Sequence, residues 1–138
     1  MAESSATTES VSPRELAEKL AHEAVALKAE DVVALEVSDL IYLTDYFVIA
    51  TTQSSRQTRA LADALNVIAK ESEGQKGRIE GTWQSNWLLI DLGDVVVHIL
   101  TAEAREFYAL DDLWADAPRL EFAPEAVEQD SEPLSEDA

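Results

Sequence analysis

Between Leu88 and Leu100 the chain carries two apolar runs on either side of Leu92-Gly93-Asp94. Leu88, Leu89 and Ile90 precede the turn, and Val95, Val96, Val97, Ile99 and Leu100 follow it. Runs of this kind around a glycine-containing turn predict an antiparallel hairpin. The second run is apolar at both parities, so both faces of its strand need cover, which predicts a central strand. A central strand in turn requires neighbours on either side and layers above and below. His98 interrupts the run as a titratable ring among aliphatic side chains.

The rest of the chain supplies those neighbours and layers. Ser12-Pro13-Arg14-Glu15 announces a helix: Ser12 as N-cap, Pro13 at the first helical position, Glu15 closing a capping box. Leu16, Leu20, Ala24 and Leu27 form one apolar stripe, extending the helix to about Ala29 and leaving His22 on the solvent side. Val32–Val37 and Asp45–Thr52 read as strands, and their short link favours an antiparallel pair. Leu40, Ile41 and Leu43 in that link are expected to tuck against the core. Ser54 caps a second helix with Gln57 in the reciprocal position, Leu61, Leu65 and Ile68 facing inward, and Gly74 ending it. A very short strand is expected between Gly77 and Gly81. After the hairpin, Thr101 caps a third helix in which Phe107 and Leu110 face inward and Tyr108 points elsewhere. This order predicts an α+β fold, a mixed sheet of about five strands with helices packed on it. The domain spans residues 12–120, between a disordered leader (1–11) and an acidic disordered tail (121–138).

Composition narrows the chemistry. With 46% of its 138 residues apolar, the chain can bury one core, and none of its apolar runs approaches the roughly 20 residues that span a bilayer. Without cysteine, disulfides and thiolate chemistry are excluded. No secretory signal is evident at the N-terminus, so a cytoplasmic protein is expected. The formal net charge is −18; two acids lie in residues 1–11 and seven in 121–138, so residues 12–120 keep nineteen acids against all ten bases. Such a surface repels phosphate backbones unless Arg and Lys cluster locally, and it favours a basic protein partner.

Catalytic and metal patterns are weak. The two histidines, His22 and His98, are far apart. Asp91 and Asp94 flank a turn and could hold a hard cation, but Asp is favoured in tight turns for its own reasons. His98 could serve as base to Thr51, Ser54 or Ser55, yet no strained nucleophile elbow accompanies it, and none of the four glycines opens a phosphate loop. No catalytic residue, metal site or cofactor is therefore expected. Aromatic residues are more telling: Trp83, Trp87, Tyr108 and Trp114 cluster in and around the hairpin and the last helix, and Trp and Tyr concentrate in interface hot spots.

Four segments carry a family resemblance: TDYFVIAT (44–51), SSRQ (54–57), WLLIDLGDVVVH (87–98) and EAREFYALDDLW (103–114). From about Pro13 to Ala117 the chain resembles the Iojap family, also called ribosomal silencing factors. The resemblance implies a nucleotidyltransferase-like core without the Gly-Ser motif and D-x-D acids of active nucleotidyltransferases. It also implies binding to the large ribosomal subunit through large-subunit ribosomal protein fourteen, which blocks subunit joining and lowers translation when nutrients run short. Organellar relatives act in large-subunit assembly. Thr52 departs from the family, whose members often have Gly there. On this reading Trp87, Leu88 and Tyr108 are apolar anchors, and Asp91 and Asp94 pair with basic residues of the partner. His98, Arg105 and Trp114 match the family motif, as contacts or as structural supports. The protein is expected to act as a monomer or weak homodimer, without a membrane and without sequence-specific nucleic-acid binding. A large-subunit assembly factor is the main alternative, and a metal-dependent nucleotidyltransferase the remote one.

Overall fold

A computed structural model describes residues 11–74 and 76–121. The expected leader and tail, apart from Val11 and Glu121, lie outside the described residues. Helix α1 spans Pro13–Ala26 and carries both capping-box bonds: Ser12 Oγ accepts the Glu15 N–H and Glu15 Oε1 accepts the Ser12 N–H, each at 3.1 Å. A cap of this kind stabilises a helix by about 1 kcal/mol. The helix stops three residues earlier than its apolar stripe suggests, because Lys28 turns the chain with φ 73° into strand β1, Glu30–Glu36. Strand β2 follows at Tyr46–Thr51 and helix α2 at Ser55–Glu73. Ser54 Oγ caps α2 by accepting the Gln57 N–H, while the Gln57 side chain reaches back to the N–H of Gln53, and Gly74 ends the helix at φ 86°. Strands β3 (Arg78–Glu80), β4 (Trp87–Asp91) and β5 (Val95–Leu100) lead to the short helices α3 (Ala102–Tyr108) and α4 (Leu110–Leu113).

The sheet order is β1-β2-β5-β4-β3. The β1/β2, β4/β5 and β3/β4 pairs are antiparallel and β2/β5 is parallel, so the sheet is mixed and β5 lies at its centre. The two parities of β5 serve two cores. Val95, Val97 and Ile99 pack with Ala34, Val48, Leu88 and Ile90 under α1 and α2. Val96 and Leu100 pack with Leu35, Phe47 and Ile49 under Ala104, Leu110, Trp114 and Ala117. The chain then returns along β1: the Glu36 N–H donates to Pro118 O and the Leu120 N–H to Ala34 O, each at 2.8 Å, and this covers an otherwise open edge. No helix among the described residues is long and apolar enough to cross a membrane.

Three expectations fail for identifiable reasons. In the β1–β2 loop only Ile41 packs inward; the N–H groups of Leu40 and Ile41 both close onto Val37 O, and this turn leaves Leu40 and Leu43 in solvent, Leu43 at 90% exposure. Phe107 does not share the inward face of Leu110 but is 79% exposed, because Ala109 takes φ 53° and restarts the helix, destroying the spacing of three. His22 is half-buried rather than free on the solvent side of α1. Thr52 needs no glycine: it lies outside the left-handed region, buried, with its hydroxyl 2.6 Å from that of Thr58.

Candidate functional site

The side of the sheet opposite α1 and α2 is covered over β1, β2 and β5 by the segment from α3 to Ala117, and left open over β3 and β4. Along β4, Trp87, Leu89 and Asp91 share this side and are each half-buried. Strand pairing sets Leu89 beside His98 and Glu80, and Asp91 beside Val96 and Arg78. Tyr108, at the end of α3, lies over Trp87 with ring centroids 4.8 Å apart, and exposed Phe107 meets Tyr108 edge-on at 4.9 Å.

Trp87 is held from beneath. Its indole N–H donates to His98 Nδ1 at 3.1 Å. An indole N–H can only donate, so the imidazole is neutral at Nδ1 and carries its proton on Nε2. Burial pushes the His98 pKa down to about 4, which keeps the ring uncharged and able to accept that bond at neutral pH. Phe47 packs against His98 (4.4 Å) and Trp114 (5.0 Å), both edge-on. A continuous file of rings thus runs Tyr108, Trp87, His98, Phe47, Trp114, exposed at its Tyr108 end and half-covered at Trp114. Trp87 is thereby held in one orientation by His98 beneath and Tyr108 above.

The expected site residues sort differently from the sequence reading. Leu88 is fully buried under the helices and cannot be a surface anchor. The parity of β4 turns Leu89 instead to the open side. Arg105 is likewise buried: its guanidinium grips Asp111 through Nε (3.3 Å) and Nη2 (3.0 Å), and Nη1 donates to Asp31 O (2.6 Å) and Thr51 Oγ1 (3.0 Å). It clamps the last helices to the ends of β1 and β2, at a point where Asp31 takes the left-handed φ of 51°. His98, also buried, supports Trp87, while Trp87 and Trp114 are both half-buried and Tyr108 is exposed. Asp91 Oδ1 accepts the Gly93 N–H at 2.9 Å, a turn-forming role, while Asp94 is exposed at the turn and its carbonyl receives the N–H groups of Asp45 and Tyr46. Among the described residues no three His, Asp or Glu groups converge to hold a metal. The Thr51 hydroxyl is engaged by Arg105 and His98 Nδ1 by Trp87, and among the described residues the buried His98 Nε2 has no hydrogen-bond partner.

The chain as a whole has recognisable relatives. A family model described as "Ribosomal silencing factor during starvation" matches residues 10–138. The chain is similar to "Ribosomal silencing factor RsfS" of Halalkalibacterium halodurans, 43% identical over 95 residues that cover 69% of this chain and 81% of that one. A crystal structure of a Chromobacterium violaceum protein shares the fold at 33% identity and a TM-score of 0.65, covering 91% of this chain and all of that one. More distantly, the chain is similar to the mouse "Mitochondrial assembly of ribosomal large subunit protein 1", 31% identical over 109 residues, 74% of this chain and 48% of that protein.

Proposed function

This chain belongs to the ribosomal silencing factor family, and from that premise we propose that it docks on the large ribosomal subunit through large-subunit ribosomal protein fourteen. In that position its volume blocks association with the small subunit in the cytoplasm and represses translation under nutrient limitation. One observation carries the reading: the face left open over β4 presents a pre-set aromatic anchor, Trp87 under Tyr108, beside acidic groups. An interface core of this kind joins rigid aromatic area to a charged rim. The anchors are Trp87, Tyr108 and Leu89. Asp91 and Asp94 at the turn, on a chain of net charge −18, attract the basic residues of a ribosomal protein and orient the encounter. The protein works here as an inert obstacle, with no bond made or broken.

A second reading, a factor that accompanies large-subunit assembly, is favoured by the name of the mouse relative. It uses the same face and differs in when the face is occupied. Sedimentation of the purified protein with separated subunits tests the first reading. Co-migration with mature large subunits and a reduced yield of joined ribosomes is expected. Co-migration with precursor subunits alone moves the protein to assembly, and migration with neither sinks both.

A further inference from the structure

On the helix-covered side of the molecule, away from the aromatic file, the first turns of α2 and the turn at 82–85 enclose a cleft of about 450 Å³. Arg56 and Arg59, one helical turn apart, line one wall together with Ala60 and Asp63, and the Trp83 ring lines the other, with Ser55 and Gln84 at the margins. Trp83 is half-buried, packed on one side against the core beneath α1 and α2. Its turn is closed by Ser85 N–H to Thr82 O (2.9 Å) and Thr82 N–H to Ser85 Oγ (2.8 Å). Gly81 leads into the turn at φ 102°, where a Cβ would stand 3.1 Å from Trp87 O. The ring is therefore held in place with part of its surface left to the cleft.

We propose that this cleft is a contact site for single-stranded RNA, taking backbone phosphate on Arg56 and Arg59 and a base against the Trp83 ring. An acidic chain binds nucleic acid only where its few bases gather, and here two guanidinium groups gather beside an aromatic plane, the pairing that single-strand binders use. Both groups are available. Among the described residues Arg56 makes no ion pair. Arg59 faces Asp63 at 4.0 Å with both side chains about two-thirds exposed, a contact that water and salt weaken and that a phosphate displaces. Its guanidinium stands 5.9 Å from the Trp83 centroid, at the outer limit of a cation–π contact, so it borders the ring without sealing it. The remaining acidity keeps the contact weak and independent of base sequence. It serves as a second hold for a protein already delivered to an RNA-rich surface, and its chemistry does not depend on the aromatic docking face.

The test is fluorescence anisotropy of a short labelled polyuridine RNA titrated with the full chain at low salt, repeated as salt is raised. Wild type is expected to bind weakly, with log K falling against log salt at a slope of about −1.4 for two phosphates. R56Q/R59Q, both on an exposed helix surface, is expected to abolish the salt-dependent binding with its melting temperature unchanged. W83A is expected to lose about tenfold in affinity with the slope retained, and W83F to keep most of it. Absence of wild-type binding, or equal binding by R56Q/R59Q, overturns the proposal, and equal binding by a folded W83A overturns the base contact. R56Q/R59Q leaves Trp87 and Tyr108 intact, so its sedimentation with large subunits reports separately on the docking face.

Discussion

Under α1 and α2 the sheet presents Leu88, Ile90, Val95 and Val97 with no surface exposed, while the same two strands turn Trp87, Leu89, Asp91 and Val96 to the other side half-exposed. One side is closed by two full helices, one of 14 and one of 19 residues; the other is closed by short helices and a returning segment that stop short of β3 and β4. The closed side supplies the burial that holds the domain together. The open side contributes less burial and leaves large rigid side chains, Trp87 and Tyr108 among them, in reach of solvent. The same hairpin serves both because a strand alternates its side chains, so neighbouring residues in it should answer to different measurements.

Breaking the closed side gives the largest effect. Leu88→Ala removes a buried side chain from the centre of the core and is expected to cost about 3 to 4 kcal/mol of unfolding free energy, read by urea denaturation. Loss under 1 kcal/mol would mean that the helices do not close over β4 as described.

Next comes the support beneath the open side. The His98 pKa is about 4 in the folded protein against 6.5 when unfolded. The unfolded chain therefore binds the extra proton between these values, and stability falls as pH is lowered through that window, by up to about 3 kcal/mol. His98→Gln, whose amide oxygen can still accept the Trp87 N–H, is expected to remove this component. The difference between wild-type and variant stability curves should bend below pH 6.5 and not above it. A parallel pair of curves would show that the ring is solvated. Arg105→Met strips the hydrogen bonds from Asp31 O and the Thr51 hydroxyl and is expected to cost about 2 kcal/mol, with the Asp111 pair adding little because that carboxylate is half-exposed.

Local signals were the legible ones. The Ser12 box, the Ser54 and Thr101 caps, the Gly74 stop and the hairpin all depend on residues within a turn of one another, and each stands where the sequence predicts it. Less legible were features that depend on distant partners or on parity. For Arg105 the sequence leaves contact and structural support both open, because the groups it clamps lie 54 and 74 positions away. Leu88 and Leu89 could not be told apart, since Trp87-Leu88-Leu89-Ile90 is apolar at both parities; the Trp-to-Leu spacing of two was the only hint that Leu89 belongs with Trp87. Phe107 turns outward because Ala109 is left-handed, a break that no glycine announces. The Arg56, Arg59 and Trp83 cleft joins two segments with no pattern in common, and only the fold brings them together.

On the open side the largest expected change is in binding. Trp87→Ala should weaken association with the large subunit by about 2 kcal/mol, measured on the folded fraction, as truncation of a central aromatic anchor does. Unchanged affinity would remove Trp87 and point to the acidic turn alone.

The sharpest comparison uses the residue next to Leu88. Leu89 is half-buried, paired with His98 and Glu80 on the uncovered face of the sheet. Leu89→Ser there replaces an apolar surface that water already reaches, so it is expected to change unfolding free energy by under about 1 kcal/mol. It also removes apolar area beside Trp87 and should weaken subunit binding by about 1 kcal/mol. Leu88→Ala and Leu89→Ser then form a crossed pair, the first lowering stability and sparing the affinity of whatever remains folded, the second doing the reverse. If both lower stability alike, the β4 face is covered in solution and the docking surface lies elsewhere. If neither alters binding while Trp87→Ala does, the anchor is a single residue rather than a face.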